Sequence, residues 1–461
     1  MDPIRWRTTL RTAGATATPL LAAAVLLPYV LACGVDVPIN DDWDLLETSL
    51  AWHEQGIDLR RLLAPHNEHC LAISRLSTHT LLAATHGSFR TVLVVNALLA
   101  VAAVAVLGWF VRGWPLPAAP LAALLAALAL LITGWCQWQN WLWSFQTPWL
   151  LLPLLVTCGG VAVARIRAPI AAAAVAGGLA VAAVFCQANG LLVGPALLPA
   201  VVLRLRTEPR RVACVAAAVF AALAITGVVL GMLLLGPSPA AAARASVSLW
   251  QSAACVLAVL GSPLDPQGTF AGRLTWATVC GGIALVVGSI AAVVGVLGSA
   301  ARGRELGPAL ALMAYGLGSV AAVAVGRLAL ITAGGVESRY QTFAVSWHVG
   351  TLLALGWLAA DAGLQDAPSA MRPCRSGSRS GWQWPLLATS VACVVATLAA
   401  MPLFLSHGRN MRAALEGHRL IYAAVDRPGG REALAKIAGH YGPDRLARNL
   451  DRMKRAGLLS R

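Results

Sequence analysis

Three carboxylates stand within four residues in Asn40-Asp41-Asp42-Trp43-Asp44, directly after the chain's first long apolar stretch. Eight of the 20 acidic residues lie between Asp36 and Glu68, and the next comes only at Glu208. Of two neighbouring carboxylates, one can act as general base on a hydroxyl while the other tunes it or binds a cation. Asp41 and Asp42 are therefore the candidate catalytic residues, with Asp44 beside them. They are also the candidate ligands if a divalent cation such as Mg or Mn is used; no cofactor is certain from the sequence. Capping of a helix through Leu45-Leu46-Glu47 is the purely structural reading of the same residues. Carboxylates are costly near lipid, so a packed group at the mouth of a span points to function.

Three further segments carry chemistry. Pro65-His66-Asn67-Glu68-His69, followed by Arg75, places three ionisable side chains within four residues, where they could hold a phosphate, a sugar or a metal. The spacing is not that of a His-Glu-x-x-His zinc site, and a polar rim at a membrane interface is the alternative. Trp135 to Gln146 interleaves five tryptophans or phenylalanines with Gln137, Gln139, Asn140 and Gln146. An aromatic belt accounts for the rings alone. Amides beside ring faces, as in Gln137, Trp138, Asn140 and Gln146, suit a sugar, which stacks on rings and hydrogen-bonds through its hydroxyls. Late in the chain, Arg327 and Ser338-Arg339-Tyr340 lie at span ends. An arginine there either snorkels to the interface or grips a lipid-linked phosphate bidentately.

The elements that must position these residues are helices in a membrane. The chain has 461 residues, 58% hydrophobic and 12% charged, with a mean hydropathy of +0.70. That charged fraction is roughly half of a soluble domain's. The apolar residues fall into about eleven runs of spanning length. They lie near 15–34, 91–111, 118–134, 148–164, 169–186, 190–203, 212–235, 276–299, 307–326, 342–360 and 385–404. Residues 242–260 read as a partly embedded helix and 70–86 as an interfacial one. The net charge of +15 does not point to nucleic acid. Its arginines cluster in alternate connections, as Arg112; Arg165 and Arg167; Arg204, Arg206, Arg210 and Arg211; Arg302 and Arg304; and Arg372, Arg375 and Arg379. By the positive-inside rule these face the cytoplasm together with the N-terminus. The acidic loop of about residues 35–90, the Trp-Gln segment, Gln187-Ala188-Asn189-Gly190, the loop around Asp265-Pro266 and Gly334 to Tyr340 then share the opposite side. The tail, residues 406–461, carries ten arginines and two lysines against five acids. It reads as helical, distinct from the membrane domain 1–405, and an odd number of spans places it outside the cytoplasm.

In layout the chain resembles the GT-C superfamily of polytopic glycosyltransferases, and more narrowly bacterial members with an Asn-Asp-Asp-Trp start, a His-Asn-Glu-His segment, a Trp-rich segment and a late Ser-Arg-Tyr. Gln139-Asn140 stands where those members commonly have Glu-Asn, which leaves metal dependence open. The resemblance implies an all-α membrane fold with a juxtamembrane-helical first external loop and an inverting transfer from a polyprenyl-phosphate sugar. The acceptor would be an envelope glycan or lipid at the outer face of a bacterial inner membrane. It implies Asp41 or Asp42 as base and Arg339 and Tyr340, with Arg327 or Arg75, at the donor phosphate. Asp44, His66, Asn67, Glu68 and His69 would contact substrate. A transporter or lipid flippase is the rival, although its ionisable groups should lie near mid-membrane in repeated halves, and no such repeat is visible.

Overall fold

The computed structural model describes residues 3–235, 248–264, 276–298, 303–328, 337–365, 379–438 and 441–458. Asp265-Pro266, Gly334 to Val336, Arg302, Arg372 and Arg375 lie outside these. Among the described residues ten helices are long and apolar enough to cross a membrane. They include α1 (Pro3–Cys33), α5 (Phe89–Val111), α6 (Ala118–Ile132, extended through the Trp segment by the short α7, Trp138–Leu142), α8 (Thr147–Arg165), α10 (Val193–Leu205, lengthened by the helical turn Ala188–Leu192 before it), α11 (Arg210–Leu234), α13 (Trp276–Gly298), α14 (Gly307–Gly326) and α15 (Gln341–Gln365). The tenth is α16 (Gln383–Ala423), which is 41 residues long. The expected span at 169–186 is the 15-residue helix α9 (Pro169–Ala183). At 1.5 Å per residue it is shorter than the roughly 30 Å hydrocarbon layer, yet it still carries the chain from Arg167, whose carbonyl accepts from Arg204, to Ala188, whose amide meets His69 of the acidic loop. The expected embedded helix is α12 (Leu249–Gly261), 13 residues packed against α13. The chain is a multi-pass, all-α membrane protein.

Between α1 and α5 lies the acidic loop, built from α2 (Asp42–Gln55), α3 (Leu59–Leu63), a two-stranded ribbon and α4 (Ala72–Ala84). Strands β1 (Pro65–His66) and β2 (His69–Cys70) pair antiparallel, with His66 directly opposite His69. The two-residue turn puts Asn67 at a φ of 51°. That left-handed region is one that asparagine tolerates better than most residues. Directly opposed residues share a face of the ribbon, so the sequence His-Asn-Glu-His delivers both imidazoles to one side. The expected interfacial helix at 70–86 is α4. Arg75 within it is buried and donates to the carbonyls of Leu62 (3.1 Å) and Ala64, holding the ribbon's approach in place.

Helix α16 runs unbroken past residue 405 and projects beyond the apolar layer, carrying the tail helices α17 (Gly430–Ile437) and α18 (Pro443–Arg455). The tail folds back onto the acidic loop. Arg445 pairs with Asp44 and Glu47, and Arg452 pairs with Glu54 at 2.8 Å. Glu47 and Glu54 on α2 are seven residues apart, as are Arg445 and Arg452 on α18. Seven residues is about two helical turns, so each set projects from one face and the two faces match. Leu446, Leu450 and Met453 bury the apolar face of α18 beneath the ion pairs. The end of the tail sits on Gly87, where an added Cβ would lie 1.7 Å from the Leu458 carbonyl oxygen.

Candidate active site

Helix α14 ends at Gly326, and the next residue, Arg327, stands over the ribbon. Its guanidinium pairs with the Glu68 carboxylate. Glu68 also lies 3.7 Å from His69 Nε2. On its other side His69 Nδ1 accepts from the Ala188 amide at 3.2 Å. That acceptor role leaves the proton on Nε2, facing Glu68. Burial pushes the His69 imidazolium down to about 4, against the pull of Glu68, so the ring is neutral near pH 7.

These groups edge a cavity of about 420 Å³. Asp41, His66, Asn67, Glu68 and His69 line it from the acidic loop, and Arg327, Arg339 and Tyr340 from the late spans. Leu235, Ala322, Val323 and Gly326, at the ends of α11 and α14, form an apolar wall. One side of the cavity is therefore charged, and the other is made of the spans themselves.

The adjacent aspartates part company. Asn40 adopts a φ of 45°, which turns the chain just before α2. Asp41 then faces the cavity, whereas Asp42 is 1% exposed. The Ile39 amide donates to Asp42 Oδ2 at 3.0 Å. Burial pushes the Asp42 carboxyl up to about 7, opposed by the hydrogen bond from the Ile39 amide. Asp42 thus pins the turn that opens α2 rather than facing the cavity. Asp44 sits beside Asp41, its Oδ2 3.5 Å from His66 Nδ1.

Asp41, Asp44 and His66 each offer a ligand atom within 4.8 Å of the others. Two carboxylates and an imidazole, one of whose nitrogens (Nε2) is buried without a hydrogen-bond partner among the described residues, fit a divalent cation in donor type and spacing. The sequence pointed to Asp41 and Asp42 for that role; the structure groups Asp41 with Asp44 and His66 instead.

The Trp segment is split between the cavity and the interior. Phe145 and Trp149 line the cavity, the first against His66 and the second edge-on to His69. The Arg339 guanidinium lies 5.2 Å from the centres of both the Trp143 and Tyr340 rings. Arg339 also pairs with Glu337. The amides turn inward. The Gln139 side-chain oxygen accepts from the Arg339 amide at 3.1 Å, and Asn140 Nδ2 donates to the Arg339 carbonyl at 3.3 Å and to Thr342. Thr342 donates to Gln137 at 2.6 Å. Gln137, Asn140 and Gln146 are buried away from the cavity, and Trp138 stacks on His407. Arg75 is likewise committed to loop carbonyls rather than to the cavity.

Further residues at the site lie outside the expected set. Gln187 and Asn189 line the cavity; their signal is a polar Gln-Ala-Asn-Gly break between two apolar runs. Tyr441 from the tail donates to Asp44 Oδ2 (3.0 Å) and Asp41 Oδ1 (3.3 Å), and nothing local in the sequence marks it.

No protein-family model matches the chain, and no curated protein matches it in sequence. Among solved structures, the fold resembles an archaeal oligosaccharyltransferase, AglB from Archaeoglobus fulgidus, captured with an inhibitory peptide and a dolichol-phosphate. The superposition has a TM-score of 0.51 at 14% identity and covers 92% of this chain and 58% of that one. The present chain therefore spans a little over half the length of that enzyme, and the likeness is one of fold. The ten candidate spans among the described residues, with the acidic loop folded over their ends, share the fold of that archaeal enzyme over 92% of this chain.

Proposed function

We propose that the protein is a membrane glycosyltransferase that moves a sugar from a polyprenyl-phosphate donor to a hydroxyl of an envelope glycan or lipid, at the outer face of a bacterial inner membrane. The observation that carries the reading is the two-sided cavity. Arg327 and Arg339 stand at the ends of spans whose apolar residues continue the wall into the membrane. A lipid phosphate has this polarity, with an anion at the interface and a hydrocarbon chain in the bilayer. Guanidinium groups also present forked donors that match phosphate oxygens.

In this reading the acceptor hydroxyl approaches Asp41, which takes its proton as the oxygen attacks the anomeric carbon. The bond from that carbon to the phosphate oxygen breaks on the opposite face, and the configuration inverts. Charge grows on the leaving phosphate, where Arg327 and Arg339 stabilise it more than they do the bound donor. Neutral His69, held by Ala188, offers Nε2–H as a donor at the cavity edge. Phe145 and Trp149 give apolar faces for a sugar ring. A divalent cation held by Asp41, Asp44 and His66 would add positive charge for phosphate or hydroxyl oxygens.

The test is purified protein in lipid with a radiolabelled polyprenyl-phosphate sugar and extracted envelope lipids as acceptor. Labelled product and free polyprenyl phosphate should appear together. Failure of the wild-type protein to consume any of the pentose or hexose donors offered would remove the reading.

A further inference from the structure

The C-terminal tail reaches the base that the proposed reaction uses. Gly442 takes a φ of 72°, a left-handed turn that suits glycine, and Pro443 opens α18 with its fixed φ. The turn swings Tyr441 and Arg445 onto the same carboxylates, and the Arg445 guanidinium lies 5.1 Å from the Tyr441 ring centre. Arg445 Nη2 donates to Asp44 Oδ1 at 2.8 Å and also reaches Glu47. The Tyr441 hydroxyl sits within 3.3 Å of Asp41 Oδ1 and 3.0 Å of Asp44 Oδ2. A phenol keeps its proton at neutral pH, so Tyr441 is a donor here.

A phenol has one proton for these two acceptors. Asp44 already receives a charge-assisted bond from Arg445, the stronger kind. The Tyr441 hydroxyl bridges the two carboxylates, so it ties Asp41 to an Asp44 that Arg445 holds in place. We propose that Tyr441 is a positioning residue for the reaction. It holds the Asp41 carboxylate toward the cavity, and Arg445 assists by satisfying Asp44. The tail is thereby part of the catalytic arrangement rather than a separate anchor. This inference rests on the glycosyltransferase reading above and names a contribution that the cavity lining alone does not reveal.

Steady-state transfer by Tyr441→Phe, Arg445→Gln, their double variant and Arg452→Gln tests it. Tyr441→Phe keeps the buried ring and removes only the donor. Its kcat should fall roughly tenfold, the size of one lost hydrogen bond, with the donor KM within about twofold of wild type because the phosphate groups lie elsewhere. Arg445→Gln should cost less alone and nothing further in the Tyr441→Phe background, since both act through the same Tyr441 bridge to Asp41. Arg452→Gln breaks a tail–loop ion pair away from the carboxylates and should leave kcat within about twofold. An unchanged kcat in Tyr441→Phe would overturn the inference. So would an equal loss in Arg452→Gln, which would mean that docking alone matters, or strictly additive losses at positions 441 and 445. A wild-type protein that consumes no donor removes the glycosyltransferase reading and this inference with it, whereas an active wild type with an unaffected Tyr441→Phe variant removes this inference alone.

Discussion

The His-Asn-Glu-His ribbon and the Trp-Gln segment look alike as sequences. Each is a short polar interruption beside an apolar run, and each suggests a binding surface. In the fold they do different things. The ribbon turns its polar side chains into the cavity, where His66, Glu68 and His69 meet Arg327 and Asp41. The Trp-Gln segment turns its polar side chains away and gives the cavity only rings, Phe145 and Trp149, with Trp143 beneath Arg339. The side-chain amides of Gln139 and Asn140 bind the Ser338-Arg339 turn instead. In an apolar bundle an irregular backbone needs partners for its own groups. An amide in such a chain can therefore serve the substrate or the backbone, and residue type alone does not decide between them.

Variants on the two sides of this contrast should fail differently. The largest effect is expected from Asp41→Asn, which keeps the shape and removes the base. Transfer should drop by about 10² to 10⁴, the usual contribution of a general base, while the amount of folded protein stays at the wild-type level. Next comes Arg327→Gln. Losing one charged donor to a developing phosphate should reduce transfer by about 10². It also leaves Glu68 without its guanidinium, so rescue by a Glu68→Gln second change would show how much of the loss is an unpaired carboxylate. Asn140→Ala should have the smallest effect on chemistry and a clear one on stability. Asn140 is 0% exposed and its amide serves Arg339 and Thr342. Leaving those partners unsatisfied should cost about 2 kcal/mol, visible as a lower melting temperature in detergent. Retained stability would mean that the amide faces substrate after all.

Much of the architecture was legible in the sequence, and the reasons are physical. A span needs about 20 apolar residues whatever it packs against, so the runs at 91–111, 276–299 and 307–326 coincide with α5, α13 and α14 to within a few residues. The run at 169–186 was apolar throughout, but its helix ends at Ala183, and the turn that follows delivers Gln187 to the cavity. The ribbon's two-residue turn was implicit in Asn67. What the sequence did not carry was pairing over long separations. Asp41 and Tyr441 are 400 residues apart, and neither has a local pattern that names the other. Nor could spacing separate Asp41 from Asp42. Only the turn at Asn40 decides which one is buried and which one faces the cavity.

The most direct measurement is transfer per folded molecule for Asp41→Asn and Asn140→Ala, prepared side by side with folded protein counted by gel filtration. The two-region account predicts normal recovery and lost transfer for Asp41→Asn, and reduced recovery with near wild-type transfer per molecule for Asn140→Ala. Equal transfer per molecule in Asp41→Asn and wild type would contradict it, as would an Asn140→Ala variant that folds normally and transfers nothing.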